Sequence, residues 1–531
     1  MIDSQMDGGA KSVIGCRVDN TSIQHVISNS DVISSETSVI YQLKTRKKTV
    51  DTLTRVTFGK KNHNKPNKTI LLVGETGAGK STLINALVNY AMGVTLEDKA
   101  WFQIVEDEKR SQTESQTSDV IVYELFGFEG KTLPFSLTII DTPGFGDTRG
   151  IEYDVVVSER LFQLFQSKNG IKELHAVGLV VKSSVNRLSD RLKYIFESVM
   201  SQFGKDIEKN IVALVTHSNG RKPRVLLQAL NAAKIKCAKD EEEQPVHFLF
   251  NNCRHEEQIE EKHYKNADKI AVKGLSGFAA FLEKTAPRKL DMTLDVLNER
   301  IRLSACIQNL QERIRLSELK EAETKQIKEA LEIHEEKKEK EKFAVEIYEA
   351  YIEKEAIEGE MWLMTLIKGA VCCTFCEENC HYSGCAKLPK DCEVMKDGRC
   401  TVCSSKCPVA THVKGKWRYV TKTRKVQRNM EDIRKRSKRL SFIESFEDEI
   451  TDLKAEKSNL LDECFQHVVN LEQIALKANS VSTFVHLDFL IDKLKENGDT
   501  KKSEKLEEIK KKEDEGIASI LKYIWGKIKI K

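Results

Sequence analysis

One glycine-rich stretch carries the residue types that bind phosphate. It matches the pattern G-x-x-x-x-G-K-[ST] and is formed by Gly74, Glu75, Thr76, Gly77, Ala78, Gly79, Lys80, Ser81 and Thr82. Glycines let consecutive backbone N–H groups point at one anion, and the start of a helix adds partial positive charge. Lys80 can reach the outer phosphates of a nucleoside triphosphate, and the Ser81 hydroxyl can ligate Mg²⁺. The stretch therefore predicts a phosphate-binding loop (P-loop).

A second motif, Asp141-Thr142-Pro143-Gly144, follows the apolar run Leu137–Ile140. An Asp at a strand end can hold Mg²⁺ through water, and the N–H of Gly144 can bind the γ-phosphate. Between the two motifs lies a polar stretch in which Thr113 or Thr117 can close over Mg²⁺ and the γ-phosphate. We take Thr113 as the preferred switch residue, with an ordinary polar loop as the alternative.

The residue after this motif is Phe145. GTPases with intrinsic activity often place there a glutamine that orients the attacking water. Phenylalanine cannot position water by hydrogen bonding. We therefore expect slow hydrolysis in the monomer, unless a partner supplies a catalytic group.

These motifs, with the run His175–Val181, resemble the septin-related immune-associated GTPases (the GIMAP family) and the chloroplast-import TOC GTPases. The resemblance covers roughly residues 67–260. It implies that the chain binds GTP with Mg²⁺ and forms a homodimer in which the nucleotide faces meet. In that family an arginine is donated across the dimer, and Arg187 falls at its position. Such a residue would neutralise charge in the transition state, whereas an ordinary solvated arginine is the alternative.

Base recognition departs from the usual N-K-x-D motif, because the chain reads Thr216-His217-Ser218-Asn219. An amide offers guanine one acceptor and one donor, a poorer match than a carboxylate. The Thr-His pair resembles the TOC pattern, in which the histidine contacts the base. Asn251-Asn252 resembles the family's Asn-Asn contact. The resemblance thus assigns guanine binding to His217 and Asn252, while a loop role for His217 stays open.

Nine of the 14 cysteines lie between Cys372 and Cys407, and they include two Cys-x-x-Cys pairs. Two thiolates at this spacing can share one tetrahedral zinc ion on a tight turn. The candidate Zn²⁺ ligands, enough for two ions of unassigned pairing, are Cys373, Cys376, Cys380, His381, Cys385, Cys392, Cys400, Cys403, Cys407 and His412. Free thiols, a redox pair and a RING-type ubiquitin ligase are the alternatives, although the spacings depart from the RING pattern.

The composition sets broad limits. With 531 residues the chain should contain two or more domains. Its 85 basic and 81 acidic residues nearly balance, so net charge favours neither nucleic acid nor membrane. No apolar stretch is typical of a signal peptide or a spanning helix, which predicts a cytoplasmic protein without structural disulfides.

The elements that must position these residues follow an α/β pattern in residues 67–290. Short apolar runs predict a mostly parallel, buried sheet whose strand ends carry the motifs. The expected strands are Ile70–Val73, Val120–Leu125, Leu137–Ile140, Val177–Val181, Ile211–Val215 and Val246–Phe250.

The sequence patterns divide the whole chain into five parts. They are a flexible extension over 1–66, the nucleotide-binding G domain over 67–290, a helical segment over 291–366, a zinc module over 367–415 and a helical, coiled-coil region over 416–531. Within the extension, Val32-Ile33 and Val39-Ile40 can form a short added strand. A heptad pattern from Ile443 to Ile474 predicts packing against the 291–366 helix, with the zinc module at the tip of the hairpin. It also offers a surface for a protein partner.

Two basic segments leave their contacts open. Residues 414–439 can contact nucleic acid or anionic lipid, although a solvated helix is the favoured interpretation. Residues 517–531 are apolar and basic, which fits a helix on a membrane surface and a helix docked on the protein equally well.

Two functions are consistent with these patterns. The first is a slow GTPase that dimerises with bound nucleotide and acts as a switched scaffold. The second is a zinc-bearing module that binds protein or nucleic acid and keeps a mainly structural nucleotide site.

Overall fold

A computed structural model describes residues 22–34, 39–50, 53–106, 120–143, 151–252, 261–336, 344–357, 369–382, 385, 387–429, 439–478 and 481–511. Four residues singled out in the sequence lie outside these ranges: Thr113, Thr117, Gly144 and Phe145. The basic C-terminal segment 517–531 also lies outside the described residues. Within the described part, no helix combines the length and apolar character needed to cross a membrane.

An eight-stranded mixed sheet forms the centre of the N-terminal half. The strands of this half are β1 (Ser30–Ser34), β2 (Val39–Leu43), β3 (Arg46–Val50), β4 (Leu53–Phe58), β5 (Asn67–Gly74), β6 (Ala100–Gln103), β7 (Ile121–Leu125), β8 (Ser136–Asp141), β9 (Glu173–Leu174), β10 (Ala176–Lys182), β11 (Ile211–Thr216), β12 (His247–Leu249) and β13 (Arg288–Lys289). The order in the main sheet is β12-β11-β10-β5-β8-β7-β4-β3, and the pairs β7/β8 and β3/β4 are antiparallel. The six expected strands are all present.

Helices cover both faces of this sheet, which explains why its central strands are apolar throughout. They are α1 (Ile23–Ser28), α2 (Lys80–Met92), α3 (Ile151–Gln166), α4 (Asp190–Met200), α5 (Arg224–Ala232) and α6 (Glu261–Lys284). One core lies between the sheet and α3, α4 and α5. A second core lies on the opposite face, against α2 and α6.

The prediction of a flexible extension over residues 1–66 is wrong for its second half. Strands β3 and β4 extend the main sheet, with β4 parallel to β7. Strands β1 and β2 form a separate small sheet with β6, which confirms the strand left open near residues 32–40. Polar or charged residues interrupt each of these strands, so none has an apolar run as long as those that mark the central strands.

Four helices make the C-terminal bundle: α7 (Asp291–Glu336), α8 (Arg439–Ile474), α9 (Val481–Glu496) and α10 (Thr500–Lys511). Helices α7 and α8 run antiparallel, because Glu299 of α7 contacts His467 whereas Lys328 contacts Glu447. The apolar faces of all four helices form one buried core. The predicted packing of the heptad segment against the 291–366 helix is thus present for the described residues.

Between α7 and α8 the chain forms strands rather than the expected continuous helices. Strand β14 (Ala344–Ala356) pairs antiparallel with β20 (Trp417–Asn429) along their full length. The other strands here are β15 (Ala370–Cys373), β16 (Glu378–His381), β17 (Met395–Lys396), β18 (Arg399–Cys400) and β19 (His412–Gly415). The cysteine-rich module is inserted between the two long strands.

The strand pairing also corrects the favoured interpretation of the basic stretch as a solvated helix. Its side chains form ion pairs with acidic residues of β14: Arg424 with Glu349 at 2.7 Å, and Lys425 with Glu346 at 2.6 Å. Much of the positive charge is therefore balanced within the protein. This reduces the support for nucleic acid or anionic lipid as a ligand of this segment.

Candidate nucleotide site and metal centres

The P-loop connects β5 to α2 in a conformation that requires its glycines. Gly77 and Gly79 have positive φ angles of 76° and 92°. A Cβ on Gly74 would lie 2.4 Å from the carbonyl oxygen of Val180, so β10 packs directly against the start of the loop. Lys80 Nζ donates back to the carbonyl oxygen of Gly74 at 2.9 Å. The loop therefore forms a closed turn with the lysine amine at its edge.

The loop also offers groups for an anionic ligand. No side chain caps the start of α2, where Gly79 is the N-cap residue. The hydroxyl oxygen of Thr76 is buried and has no hydrogen-bond partner among the described residues. Amides at a helix start without a side-chain cap, and a buried hydroxyl, are groups that phosphate oxygens can satisfy. The residues present therefore fit a triphosphate.

Asp141 ends β8 beside the P-loop strand, and its side chain is fully buried. The hydroxyl of Thr142 donates to the carbonyl oxygen of Leu72 at 2.9 Å, which fixes the chain leaving β8 against β5. Ser81 stands at the second position of α2. Both predicted magnesium residues are thus on elements that meet at the same sheet edge. Gly144 and Thr113 lie outside the described residues, so their predicted roles stay predictions.

His217 lies against the P-loop, beside Gly79. The Thr216 hydroxyl donates to the carbonyl oxygen of Ala78 at 2.7 Å, which joins β11 to the loop. The imidazole Cε1 of His217 is 3.7 Å from the position that a Cβ on Gly79 would take. Asn219 has its amide oxygen occupied, because that oxygen accepts from the backbone N–H of Arg221 at 3.1 Å.

The loop after β12 is joined to the His217 loop, since the N–H of Ser218 donates to the carbonyl oxygen of Phe250 at 2.9 Å. This hydrogen bond brings together the two loops that contain His217 and Asn252, and their predicted base contacts stay predictions. The adjacent Asn251 has a buried amide oxygen with no hydrogen-bond partner among the described residues. Sequence reasoning selected Asn252 and missed this acceptor, because nothing in an Asn-Asn pair ranks its two members.

Two arginines near the start of α4, Arg187 in the preceding loop and Arg191 in the helix, lie in different surroundings. Arg187 is exposed to solvent. Ser189 caps α4 by accepting from the N–H of Leu192 at 3.1 Å. Arg191, in the first turn, places its Nε 3.2 Å from Oε1 of the P-loop residue Glu75. Sequence reasoning missed Arg191, which is one helical turn after the predicted Arg187.

Three groups of potential ligand atoms lie in the cysteine-rich module, and within each group the atoms are within 4.8 Å of one another. The first group is Cys373, Cys376, Cys403 and Cys407, the second is Cys380, Cys400, Cys403 and His412, and the third is His381, Cys385, Cys392 and Glu393. The first two groups share Cys403. All ten predicted ligands are included, but they are arranged in three groups, whereas the sequence predicted two ions.

Local geometry in the first two groups is that of zinc-binding turns. The N–H of Cys376 points at Cys373 Sγ at 3.4 Å, and the N–H of Cys403 points at Cys400 Sγ at 3.4 Å. Such bonds stabilise thiolates, which are the form that binds zinc. His412 places Nδ1 3.0 Å from the carbonyl oxygen of Pro408, and its buried Nε2 has no partner among the described residues. A metal-binding histidine usually donates one ring N–H to a backbone carbonyl in this way, which leaves its other nitrogen for the metal.

Cys372 differs from its neighbour Cys373. Burial raises the pKa of the Cys372 thiol to about 12. Its Sγ donates to Asn379 Oδ1 at 3.4 Å and belongs to none of the three groups. A buried thiol of this kind is a structural residue, in agreement with its omission from the predicted ligands.

A buried carboxylate holds the module on α7. Glu378 forms an ion pair with Arg313, and Glu378 Oε2 accepts from Asn309 Nδ2 at 2.6 Å and from the N–H of Ser404 at 3.0 Å. Arg313 also donates to the carbonyl oxygen of Cys376 at 3.3 Å. Both Cys-x-x-Cys turns are therefore attached to the same helix.

Comparison with known proteins covers mainly the nucleotide-binding part. Residues 64–158 match the septin family model. Septin-1 of Drosophila melanogaster is 38% identical over 81 residues, which are 15% of this chain and 19% of that protein. The chain thus spans about a fifth of the length of this curated relative.

Two solved structures of Toc33 from Arabidopsis thaliana also resemble the chain. A dimerisation-deficient variant is 17% identical, with a TM-score of 0.30, over 42% of this chain and 88% of Toc33. The complex of Toc33 with GDP and Mg²⁺ is 16% identical, with a TM-score of 0.30, over 43% of this chain and 89% of Toc33. The motifs, their geometry and the septin match together indicate a septin-type P-loop GTPase domain in the N-terminal half of the chain.

Proposed function

We propose that this protein binds GTP with Mg²⁺ and hydrolyses it slowly, with faster turnover in a nucleotide-dependent homodimer, and acts as a switched scaffold in the cytoplasm. The observation that carries the proposal is the P-loop, which combines two left-handed glycines, the Lys80 amine and the buried Thr76 hydroxyl in one short turn. The septin match over residues 64–158 supports the same ligand class.

Ser81 and Asp141 would hold the magnesium ion, which neutralises phosphate charge when bound. His217 and the Asn251-Asn252 pair would contact the base. Arg187 supports the dimer, because it is exposed in a loop beside the P-loop and is therefore accessible to a second copy. A donated guanidinium would supply the charge stabilisation that Phe145 cannot.

The test is nucleotide binding and turnover of the purified full-length chain. GTP, ATP and XTP are compared, and turnover per molecule is measured over a range of protein concentrations. We expect preference for GTP and a turnover that rises with protein concentration. Lys80→Ala should remove binding, and an unchanged nucleotide affinity in this variant would contradict the proposal.

A second candidate is a zinc-bearing adaptor with a mainly structural nucleotide site. The observation that favours it is Asn219, which replaces the usual carboxylate and whose amide oxygen is occupied by Arg221. In that case nucleotide would copurify, exchange slowly and leave the assembly unchanged. Rapid exchange with a GTP-dependent change in assembly would exclude the adaptor.

A further inference from the structure

The third ligand group has its own set of residues, and Lys387 beside it contacts the G domain. The group shares no residue with the other two, whereas they share Cys403. Its members come from the end of β16 and from the loop that leads to β17. Cys385 and Cys392 are buried, and the side chains of His381 and Glu393 are only 12% and 6% exposed.

The donor atoms in this group converge. His381 Nδ1 is 3.2 Å from Cys392 Sγ, and the two sulfur atoms of Cys385 and Cys392 are 3.5 Å apart. Glu393 Oε2 is 3.6 Å from the same imidazole nitrogen. Two sulfur atoms, one nitrogen and one carboxylate oxygen make up a set of four donor atoms, which is the number and type that zinc takes.

Charge supports the same assignment. With both thiols deprotonated and Glu393 ionised, the group would bury three negative charges, which is costly without cations. Lys387 supplies one positive charge, since its Nζ is 2.6 Å from Glu393 Oε1. A divalent cation would supply the other two positive charges. Lys387 contacts Oε1 of Glu393 and leaves Oε2 facing His381. Carboxylates that bind metals are usually hydrogen-bonded in this way by a neighbouring group.

The same lysine connects this group to the nucleotide-binding domain. Its Nζ donates to Gln166 Oε1 and lies 5.2 Å from the centre of the Phe162 ring, and both residues belong to α3. Glu159, one turn earlier on α3, is near enough for His381 and Glu393 to act on its charge. Helix α3 is the first described element after the Asp141 motif, and Val157, Leu161 and Phe165 anchor it in the core beneath the sheet.

We propose that His381, Cys385, Cys392 and Glu393 form a third zinc site, and that this zinc holds the module on α3 so that metal occupancy and nucleotide binding influence each other. The metal site is supported by the contacts among its four residues and does not depend on GTP binding. The coupling rests on the proposed GTP binding, and it must act in both directions if it exists, because linkage is reciprocal.

Metal content of the purified full-length chain tests the site. Elemental analysis should find three zinc ions per chain, with one lost in the double variant Cys385→Ser/Cys392→Ser. The buried Cys372→Ser, which changes a cysteine of the same module outside all three groups, is the matched control and should keep three. An unchanged zinc count in the double variant, or a Cys385–Cys392 disulfide found by mass spectrometry under reducing-agent-free purification, would each overturn the site.

Release of a fluorescent GDP analogue tests the coupling. Lys387→Met removes the contact with α3 but keeps all four ligands, so we expect three zinc ions and a release rate changed by about fivefold. Lys390→Met, at an exposed position of the same loop, should leave the rate unchanged. Equal rates in the parent and Lys387→Met would overturn the coupling. Failure of the parent chain to bind the analogue would instead refute the proposed function, and the zinc counts would remain interpretable.

Discussion

Arg191 and Glu75 form an ion pair between the first turn of α4 and the P-loop, with Arg191 Nε 3.2 Å from Glu75 Oε1. Both side chains are about a third exposed. The pair balances the negative charge of a carboxylate within the P-loop. It also connects the P-loop to the helix that follows Arg187, so the phosphate site and the predicted dimer surface share one structural element.

Arg191→Ala should weaken binding of a fluorescent GTP analogue by about three- to tenfold, because Glu75 then faces the phosphates without a counter-charge. Fluorescence titration measures the affinity. Adding Glu75→Gln to Arg191→Ala should restore most of it. If the double variant binds as weakly as Arg191→Ala, the guanidinium contacts the nucleotide directly instead.

Arg187→Ala should lower turnover at high protein concentration by at least about tenfold and leave GTP affinity unchanged, since a donated arginine stabilises transition-state charge. Turnover at low concentration should change little. Arg224→Ala replaces another exposed arginine, at the start of α5, and serves as the control. Equal loss at all protein concentrations would argue that Arg187 acts within its own chain.

Local patterns made most of the G domain predictable. The strands β5, β8, β10 and β11 are apolar runs buried on both faces, and the P-loop needs glycine at Gly77 and Gly79 for its positive φ angles. Both signals lie within a few neighbouring residues, which is the range over which sequence patterns specify structure.

Long-range pairings were less accessible. The acidic strand β14 and the basic strand β20 were interpreted as helices, because Glu, Lys and Arg favour helices when no partner is known. Their ion pairs, such as Glu349 with Arg424, join residues far apart in sequence. The opposite charge of the two segments was the signal that could have paired them. Glu393 could not be selected as a candidate ligand from the sequence, because a single glutamate beside cysteines has no spacing pattern of its own.

Glu378→Ala should destabilise the protein by about 3–5 kcal/mol, because it leaves the guanidinium of Arg313 buried without its partner. The side chains of Arg313 and Glu378 are 10% and 3% exposed. Urea unfolding followed by circular dichroism measures the change. Glu329→Ala breaks an exposed pair with Lys325 on the same helix and should stay within about 0.5 kcal/mol. A similar loss in both variants would mean that burial of the Glu378 pair is energetically unimportant.

The low pKa of Glu299 predicts that the fold loses stability in acid. Burial alone would raise its pKa, but hydrogen bonds and charges from His467 and Arg302 lower it to about 2 from an ordinary value of 4.5. A carboxylate with a depressed folded-state pKa stabilises the fold above its unfolded pKa, and this stability is lost as the pH falls from about 4.5 towards 2.

The expected contribution above pH 5 is about 2–3 kcal/mol, and Glu299→Gln should remove it. The urea midpoints of the parent and this variant, measured between pH 6 and pH 3, should therefore converge as the pH falls. Glu318→Gln changes an exposed residue on α7. Its urea midpoint should differ from that of the parent by the same amount at every pH. Because Glu299 joins α7 to His467 of α8 at 2.7 Å, a midpoint difference that stayed constant with pH would mean that shape and hydrogen bonding, rather than ionisation, hold these helices in register.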